Sequence, residues 1–399
     1  MRSAVFLAAG GTMLLLLSAG VRGQEHPPAP APPAPAPGSV DWPAPEGPLS
    51  APVEDKRNTP EKARAAALQW LARHQSKGGA FDPAKFDARC KVLKCPGRGE
   101  GDYAIGLTGL AVVAFLRAGT LPGPDAEGAS LEAALRFLRT TQDGEGCFGE
   151  ARTGHFLYNH AIATLAVCEA SAKTSDPALG TAAKRAVDFI RSAQKPYKGW
   201  RYEVKDEMND TSATAWMVQA LRAGTMAGLD VEPRVFDGAK SFLDDVTDAE
   251  TGRSGYLKKG DFPGREEAMM TKFPGAMSES STGAAMLARL LCGQEPKEEI
   301  LRKGADILLK RLPEWNTTRG TIDLYYWYYG TEVEARLGKE GWKKWSAALK
   351  ASLLPWQRGE KSGCAEGSWD PVDPWEKTGG RLYMTVMGAL MVERLCEKH

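Results

Sequence analysis

Two kinds of apolar pattern alternate between Thr181 and Leu229. Ala186, Phe189, Ile190 and Ala193 recur at spacings of three and four, which predicts a helix with one buried face from Thr181 to Gln194. From Asp210 to Leu229 the apolar residues (Ala213, Ala215, Trp216, Met217, Val218, Ala220, Leu221) cover nearly every side, so this second helix is buried all round. A turn carrying Gly199-Trp200 and a polar approach, Glu203 to Asn209, separate the two. A half-buried outer helix followed by a fully buried inner helix is one unit of a ring.

The unit recurs along the chain. Its first copy opens at Thr59-Pro60-Glu61, an N-cap with proline at the first helical position. That copy carries Trp70-Leu71, Gln75, Gly79 and Phe81; the second carries Phe137-Leu138, Gln142, Gly146 and Phe148; the third carries Phe189-Ile190, Gln194, Gly199 and Trp200. Later copies are degenerate. The fourth keeps Phe242-Leu243 and Gly255-Tyr256 but has Thr247 in place of the glutamine. The fifth keeps Gly304, Ile307 and Leu308 and ends near Trp315; the sixth has Gln357, with Trp369 arriving late after a loop that holds Cys364. The inner helices expected after these copies span 102–117, 158–172, 210–229, 280–292, 323–337 and 381–398.

An open solenoid exposes its end repeats, which then become polar caps. Here the first and last inner helices, Ile105 to Leu116 and Leu382 to Leu395, are as apolar as the middle ones. Closing the ring removes the exposed ends. The expected fold is therefore all-α, a closed α/α toroid of six outer–inner pairs. A period near fifty residues also excludes a tetratricopeptide array, whose repeat is about thirty-four.

Composition changes this picture at the N-terminus. Arg2, the apolar run Ala4 to Leu17 and Val21-Arg22-Gly23 read as a secretory signal over residues 1–23. No cysteine follows the run, which argues against a lipoprotein anchor. Residues 24–57 are rich in proline and alanine and read as a disordered, extended linker that brings the toroid (58–399) near a membrane or envelope. The chain is expected to be exported: periplasmic, envelope-associated or secreted. With 51 basic and 50 acidic residues, it lacks the positive field that a nucleic-acid partner requires. Its seven cysteines permit disulfides, with Cys90 and Cys95 as the expected pair. A zinc site at Cys90-x4-Cys95 is the sharper alternative, for which the sequence offers no second couple at ligand spacing. Cys168, Cys292 and Cys396 read as small buried thiols late on apolar helices.

The aromatic-aliphatic pair, glutamine, glycine and second aromatic together resemble the QW repeat of squalene and oxidosqualene cyclases. Asp210-Thr211-Ser212-Ala213-Thr214-Ala215-Trp216 resembles the start of a cyclase inner helix. Tyr325-Tyr326-Trp327-Tyr328-Tyr329 with Gly341-Trp342 is similar to exported bacterial members of the squalene cyclase/protein prenyltransferase superfamily. So is Gly367-Ser368-Trp369-Asp370-Pro371 with Gly379-Gly380-Arg381-Leu382-Tyr383. The resemblance covers about residues 58 to 399 and implies the toroid fold, with Gln75, Gln142 and Gln194 as structural clamps on neighbouring helix ends.

Its catalytic signatures do not transfer. Where the cyclases carry Asp-x-Asp-Asp-Thr, this chain has Glu207-Met208-Asn209-Asp210-Thr211, with an amide at the proton donor's position. Zinc-dependent prenyl transfer needs Asp-x-Cys and a histidine, but Asp323 is followed by Leu324-Tyr325 and no histidine lies on the last inner helix before the chain's end. Cys364-Ala365-Glu366-Gly367 lacks the glutamine of a thioester. No cofactor and no metal are implied. The candidate catalytic residues are Asp210, His160 and Asp323, each with a competing reading as a helix cap or core residue. Asn209, Thr211, Tyr158, Tyr325, Trp327, Tyr328 and Tyr383 are the candidate cavity lining, where aromatics would cradle an apolar chain or a carbocation. Asp102, Glu279, Asp210 and Asp323 all precede inner helices and would gather at one mouth of the ring. The leading expectation is a cavity for an isoprenoid or lipid ligand. A non-catalytic envelope scaffold and a glycan-active enzyme using the acidic rim stand beside it.

Overall fold

The structure, a computed structural model, describes residues 59–91, 94–149, 154–196 and 198–397. The signal and linker assigned to residues 1–57 lie outside the described residues. Among the described residues twelve α-helices follow one another: α1 (Pro60–His74), α2 (Ala104–Arg117), α3 (Ala126–Thr141), α4 (Phe156–Thr174), α5 (Pro177–Ala193), α6 (Thr211–Met226), α7 (Pro233–Val246), α8 (Ser280–Leu291), α9 (Glu299–Leu309), α10 (Leu324–Leu337), α11 (Lys339–Leu353) and α12 (Gly380–Cys396).

The even-numbered helices form the inner barrel. Each packs on the next, and α12 packs back on α2, so the barrel is closed. Every outer helix sits behind the groove between two inner ones. The first, α1, has α12 as its main neighbour, which makes the seam of the ring. The inner helices are buried on almost all sides; α4 and α12 bury nearly every residue before their last turn. Close approach of α2 and α4 depends on Gly109, where a Cβ would meet the Ile162 carbonyl oxygen at 2.9 Å.

Glutamine clamps tie four of the outer helices, α1, α3, α5 and α11, to the next one round the ring. Gln75 Nε2 donates to Gly79 O (2.9 Å) and to Ser130 O of α3 (2.8 Å). Gln142 joins Gly146 O to Ala182 O of α5, and Gln194 joins Lys198 O to Val235 O of α7. Gln357 donates to Gly367 O (2.9 Å) and to Ala63 O of α1 (2.7 Å), applying the same clamp across the seam. The acceptors are carbonyls near the start of the next outer helix, which already serve that helix and offer their second lone pair.

A second repeated bond ties inner to outer layer. The backbone N–H of Phe81, Trp200, Ser254 and Trp369 donates to Thr108, Thr214, Thr282 and Thr385 respectively. In the second pair Phe148 N donates to His160 Nδ1 at 3.1 Å instead. Ser254 therefore occupies the place expected for Tyr256 in the fourth unit, and Thr247–Ser254 pairs across the turn as Gln142–Phe148 does. The two-residue shift frees Tyr256 for the ring's interior.

At the C-terminal ends of the inner helices an ion cluster spans the ring. The buried Glu332 carboxylate receives Arg336 (2.5 Å), Arg394 (2.7 Å) and Arg117 (3.4 Å), and Arg117 also binds Glu169 at 2.7 Å. These guanidinium groups hold the Glu332 carboxyl far below its ordinary range, against the cost of burial. The cluster joins α2, α4, α10 and α12 at this end.

Candidate functional site

A cavity of about 340 Å³ lies among the opposite, N-terminal ends of the inner helices. Its wall comes from the first turns of the inner helices and the loops that lead into them. Eight aromatics face it: Tyr103, Tyr158, Tyr202, Tyr256, Tyr325, Tyr383, Trp216 and Trp375. Trp216 stacks on Tyr328 (centroids 5.5 Å, 14°) behind the wall and donates Nε1–H to Tyr325 Oη at 3.0 Å. Burial raises the Tyr158, Tyr256 and Tyr383 phenols, and that of Tyr325 to about 12, so they stay protonated as hydrogen-bond donors.

Polar groups enter the wall at a few places. Arg265 pairs with Asp323 and bonds Gly264 O, but its buried Nε–H has no partner among the described residues. The buried hydroxyl of Tyr383 has none either. Glu266 accepts from Thr378 Oγ1 at 2.6 Å and is the only carboxylate on the wall among the described residues. His155, in the left-handed backbone region at φ 64°, sits edge-on to Tyr202 with centroids 4.2 Å apart.

Among the expected site residues, Tyr158, Tyr325 and Tyr383 stand on this wall; the others do not. Asp210 is fully buried behind Tyr158. Its Oδ1 caps α6 through Ala213 N (2.6 Å) and accepts the Tyr158 hydroxyl at 3.2 Å, while Oδ2 is unpartnered. Burial outweighs these bonds and raises its carboxyl to about 7. Asp323 caps α10 through Tyr326 N (3.0 Å) and neutralises Arg265, so both its oxygens are engaged. His160 is a core clamp. Its Nδ1 accepts from Phe148 N, Nε2–H donates to Ala186 O at 3.2 Å, and burial lowers the imidazole to about 4, so it stays neutral.

Asn209 is half-buried and Thr211 bonds Gly255 O (2.7 Å). Trp327 packs on Trp315, and Tyr328 donates to Gln219 Oε1 at 2.9 Å. A run of five aromatics covers every side of a helix, so only Tyr325 of the run reaches the wall. The acidic rim is likewise dispersed. Asp102 is exposed in a 3-10 turn, and Glu279 bonds Arg253 (3.1 Å) rather than capping α8.

Sequence periodicity gave no warning of His155, Arg265, Glu266 or Trp375, which sit in loops. The available signal was loop length. The α7–α8 connection is the longest between consecutive α-helices among the described residues, and long loops in compact domains tend to carry function. Asp373, also in a loop, is fully buried with Oδ2 unpartnered. Burial and the neighbouring Asp323 raise it well above the carboxylate range, so it is a neutral acid beside the Arg265–Asp323 pair.

Comparison of the sequence with protein-family models and with curated proteins gave no match. Solved structures do match the fold. The GH76A α-1,6-mannanase of Salegentibacter sp. superposes with a TM-score of 0.58 at 10% identity, covering 84% of this chain and 98% of that one. The type II terpene cyclase MstE of Scytonema, solved with geranylgeranyl dihydroxybenzoate, gives 0.54 at 13% identity, covering 84% and 96%. An α-amylase from Clostridium perfringens gives 0.56 at 10% identity, covering 84% and 98%. At such identities the likeness establishes the α/α toroid and leaves both a terpene-cyclase-like and a glycan-active use of it open.

Proposed function

We propose that this chain is an exported toroid protein whose cavity binds an apolar isoprenoid or lipid chain ending in a polar, hydrogen-bond-accepting head. The observation that carries the reading is the wall itself. Eight aromatics supply apolar area, and three partnerless donors, Arg265 Nε–H, Trp375 Nε1–H and Tyr383 Oη–H, belong to it. Buried donors are normally satisfied, so an acceptor atom of a ligand is what this wall lacks. The cavity volume falls in the range of about 300–1,000 Å³ used for small-molecule ligands. MstE, whose substrate carries a geranylgeranyl chain, supports an apolar cargo in a ring of this shape.

Binding is favoured over cyclisation started by protonation. An alkene is a very weak base and needs a strong acid, whereas the Asp210 carboxyl is weakened to about 7 and stands behind a phenol. Glycan hydrolysis by general acid and base needs two carboxyl groups flanking one bond, and Glu266 is the only one on the wall among the described residues. The signal-like residues 1–23 and the proline-rich tether support a place in the envelope, where such ligands reside.

Native mass spectrometry of protein purified from its own cell envelope tests this reading, with a co-purifying lipid as the expected result. In titrations with farnesol and farnesyl diphosphate, Tyr383→Phe is expected to weaken binding about 5- to 10-fold, the worth of one net hydrogen bond, without lowering Tm. Repeatedly empty protein that binds neither probe would sink the proposal. Turnover of an α-mannan or starch by the wild type would favour the glycan reading.

A further inference from the structure

Four side chains outside the cavity converge at the seam of the ring. His74 ends α1; Cys90 and Cys95 lie in the loop after it; Cys364 comes from the turn Glu360–Ala365 that precedes α12. All four potential ligand atoms lie within 4.8 Å of one another. His74 Nε2 stands 3.2 Å from the Cys364 sulfur and 3.5 Å from those of Cys90 and Cys95. His74 and Cys95 are buried, and the other two are half-buried. None of the four belongs to the cavity wall.

Hydrogen bonding does not explain this arrangement. The Nδ1–H of His74 donates to Trp70 O at 2.8 Å, which leaves Nε2 with one lone pair, and one lone pair cannot serve three thiols. A disulfide does not explain it either, because it would use two sulfurs and leave the third and the imidazole converging on nothing. A metal ion does. With Zn–S near 2.3 Å and Zn–N near 2.0 Å, a tetrahedral ion sets each N···S separation at about 3.5 Å. That is the spacing found here.

The surroundings suit an ion as well. The Nδ1–H bond to Trp70 O fixes the tautomer and ring orientation, and the Trp70 ring stacks on the imidazole at 4.2 Å and 23°. The backbone N–H of Cys95 points at the Cys90 sulfur (3.4 Å), a contact that stabilises a thiolate. Three thiolates and a neutral imidazole around Zn²⁺ leave one net negative charge. Arg73, adjacent to His74 and bonded to Glu366 O at 3.0 Å, lies close to Cys364 to balance it.

We propose that His74, Cys90, Cys95 and Cys364 form a structural Zn²⁺ site that fastens the last helix pair to the first. Four protein ligands fill a tetrahedral ion and leave no open position, so the ion holds structure and performs no chemistry. Binding releases the three thiol protons to solvent. The ion closes a loop of 290 residues between His74 and Cys364, and it fixes the segment that follows Cys95. That segment supports the cavity's rim: Pro96 O and Gly97 O accept from Arg381, and Glu100 N donates to Thr378 O on the wall. The expected Cys90–Cys95 disulfide is thus replaced by a four-ligand site. Cys90 and Cys95 are free thiols in this structure, and the missing partners are one histidine and one distant cysteine.

The test uses the full-length chain carrying a tag without histidine. Elemental analysis should find one zinc per chain, and exchange for Co²⁺ should produce the visible absorption of a tetrahedral thiolate site. Cys364→Ser and His74→Asn should each lower zinc affinity by more than the roughly 100-fold that loss of an outer-shell partner costs. Cys396→Ser, at the far end of α12, should keep the metal. Should the ligand variants fail to fold, thiol counting on denatured wild-type protein decides. Seven reactive thiols after chelation, with one zinc released, support the site. Five thiols and no zinc, meaning a disulfide within the cluster, would overturn it, as would seven thiols with no metal bound at any stage.

Discussion

Asp210 is under two opposed influences. The helix N-terminus and the Ala213 amide favour its carboxylate, while complete burial favours the acid, and burial wins. Below pH 3.8 the group is protonated whether the chain is folded or not. Between 3.8 and about 7 the unfolded chain releases the proton first, so stability falls as pH rises and is level above that. Asparagine caps a helix equally well and has no proton to hold. Asp210→Asn should therefore gain on wild type by up to about 4 kcal/mol between pH 4 and pH 8, read as the difference in urea unfolding free energy. An offset that does not change with pH would show that the wild-type carboxyl ionises normally. Single residues were the least legible part of the sequence. His160 and His155 both stand near the start of α4, yet one turns into the core as the stand-in for a repeated threonine and the other reaches the cavity. The difference lies in the left-handed turn at His155, a backbone event that no hydrophobic pattern announces.

Helices were legible because their burial is periodic. All six outer–inner pairs fall where the apolar stripes put them, and the one-sided pattern of α5 against the all-round pattern of α6 distinguishes the two layers. The glutamine clamps were legible at Gln75, Gln142 and Gln194, where spacing is regular. Gln357 was visible in the sixth unit but not as a clamp, because the turn Glu360–Ala365 lengthens the link between glutamine and aromatic without disturbing the bond. Gln357 holds the seam just as Gln142 holds an ordinary junction. Each substitution by alanine should cost about 1–3 kcal/mol, since each leaves the turn carbonyl without the amide and takes a second bond from the carbonyl of the next helix. Only Gln357→Ala should also raise protease susceptibility within α1, because it alone loosens the junction of first and last helix pairs. Limited proteolysis of both variants checks this; equal cleavage of α1 would deny the seam its special place. Partners brought together by closure, such as Cys364 with His74, left no local trace, for nothing in a short window encodes which distant loop returns to it.

Across the whole ring the two ends are built for different tasks. One end is a salt-bridged hub, with a single carboxylate, Glu332, serving Arg117, Arg336 and Arg394; the other is the aromatic cavity. Glu332→Gln would leave Arg336 facing an amide, with Arg117 and Arg394 keeping Glu169 and Glu397, and unfolding free energy should drop by about 3–5 kcal/mol. Because the folded carboxyl is held below its ordinary value of 4.5, its contribution is present above that pH and is lost as the medium becomes more acidic. The variant should accordingly show a flatter loss of Tm on acidification than wild type, and a parallel loss would assign the acid sensitivity elsewhere. Arg64 of α1 and Glu393 of α12 meet at 2.8 Å, so the first and last helices are neighbours like any other two in the ring. A closed cycle of packed inner helices has no end at which the chain must start. Linking residue 397 to residue 59 and opening the chain instead at the turn Ala227-Gly228-Leu229 would rearrange the order of synthesis while keeping every neighbour. In this architecture, where the polypeptide starts is an accident of the gene rather than a property of the fold.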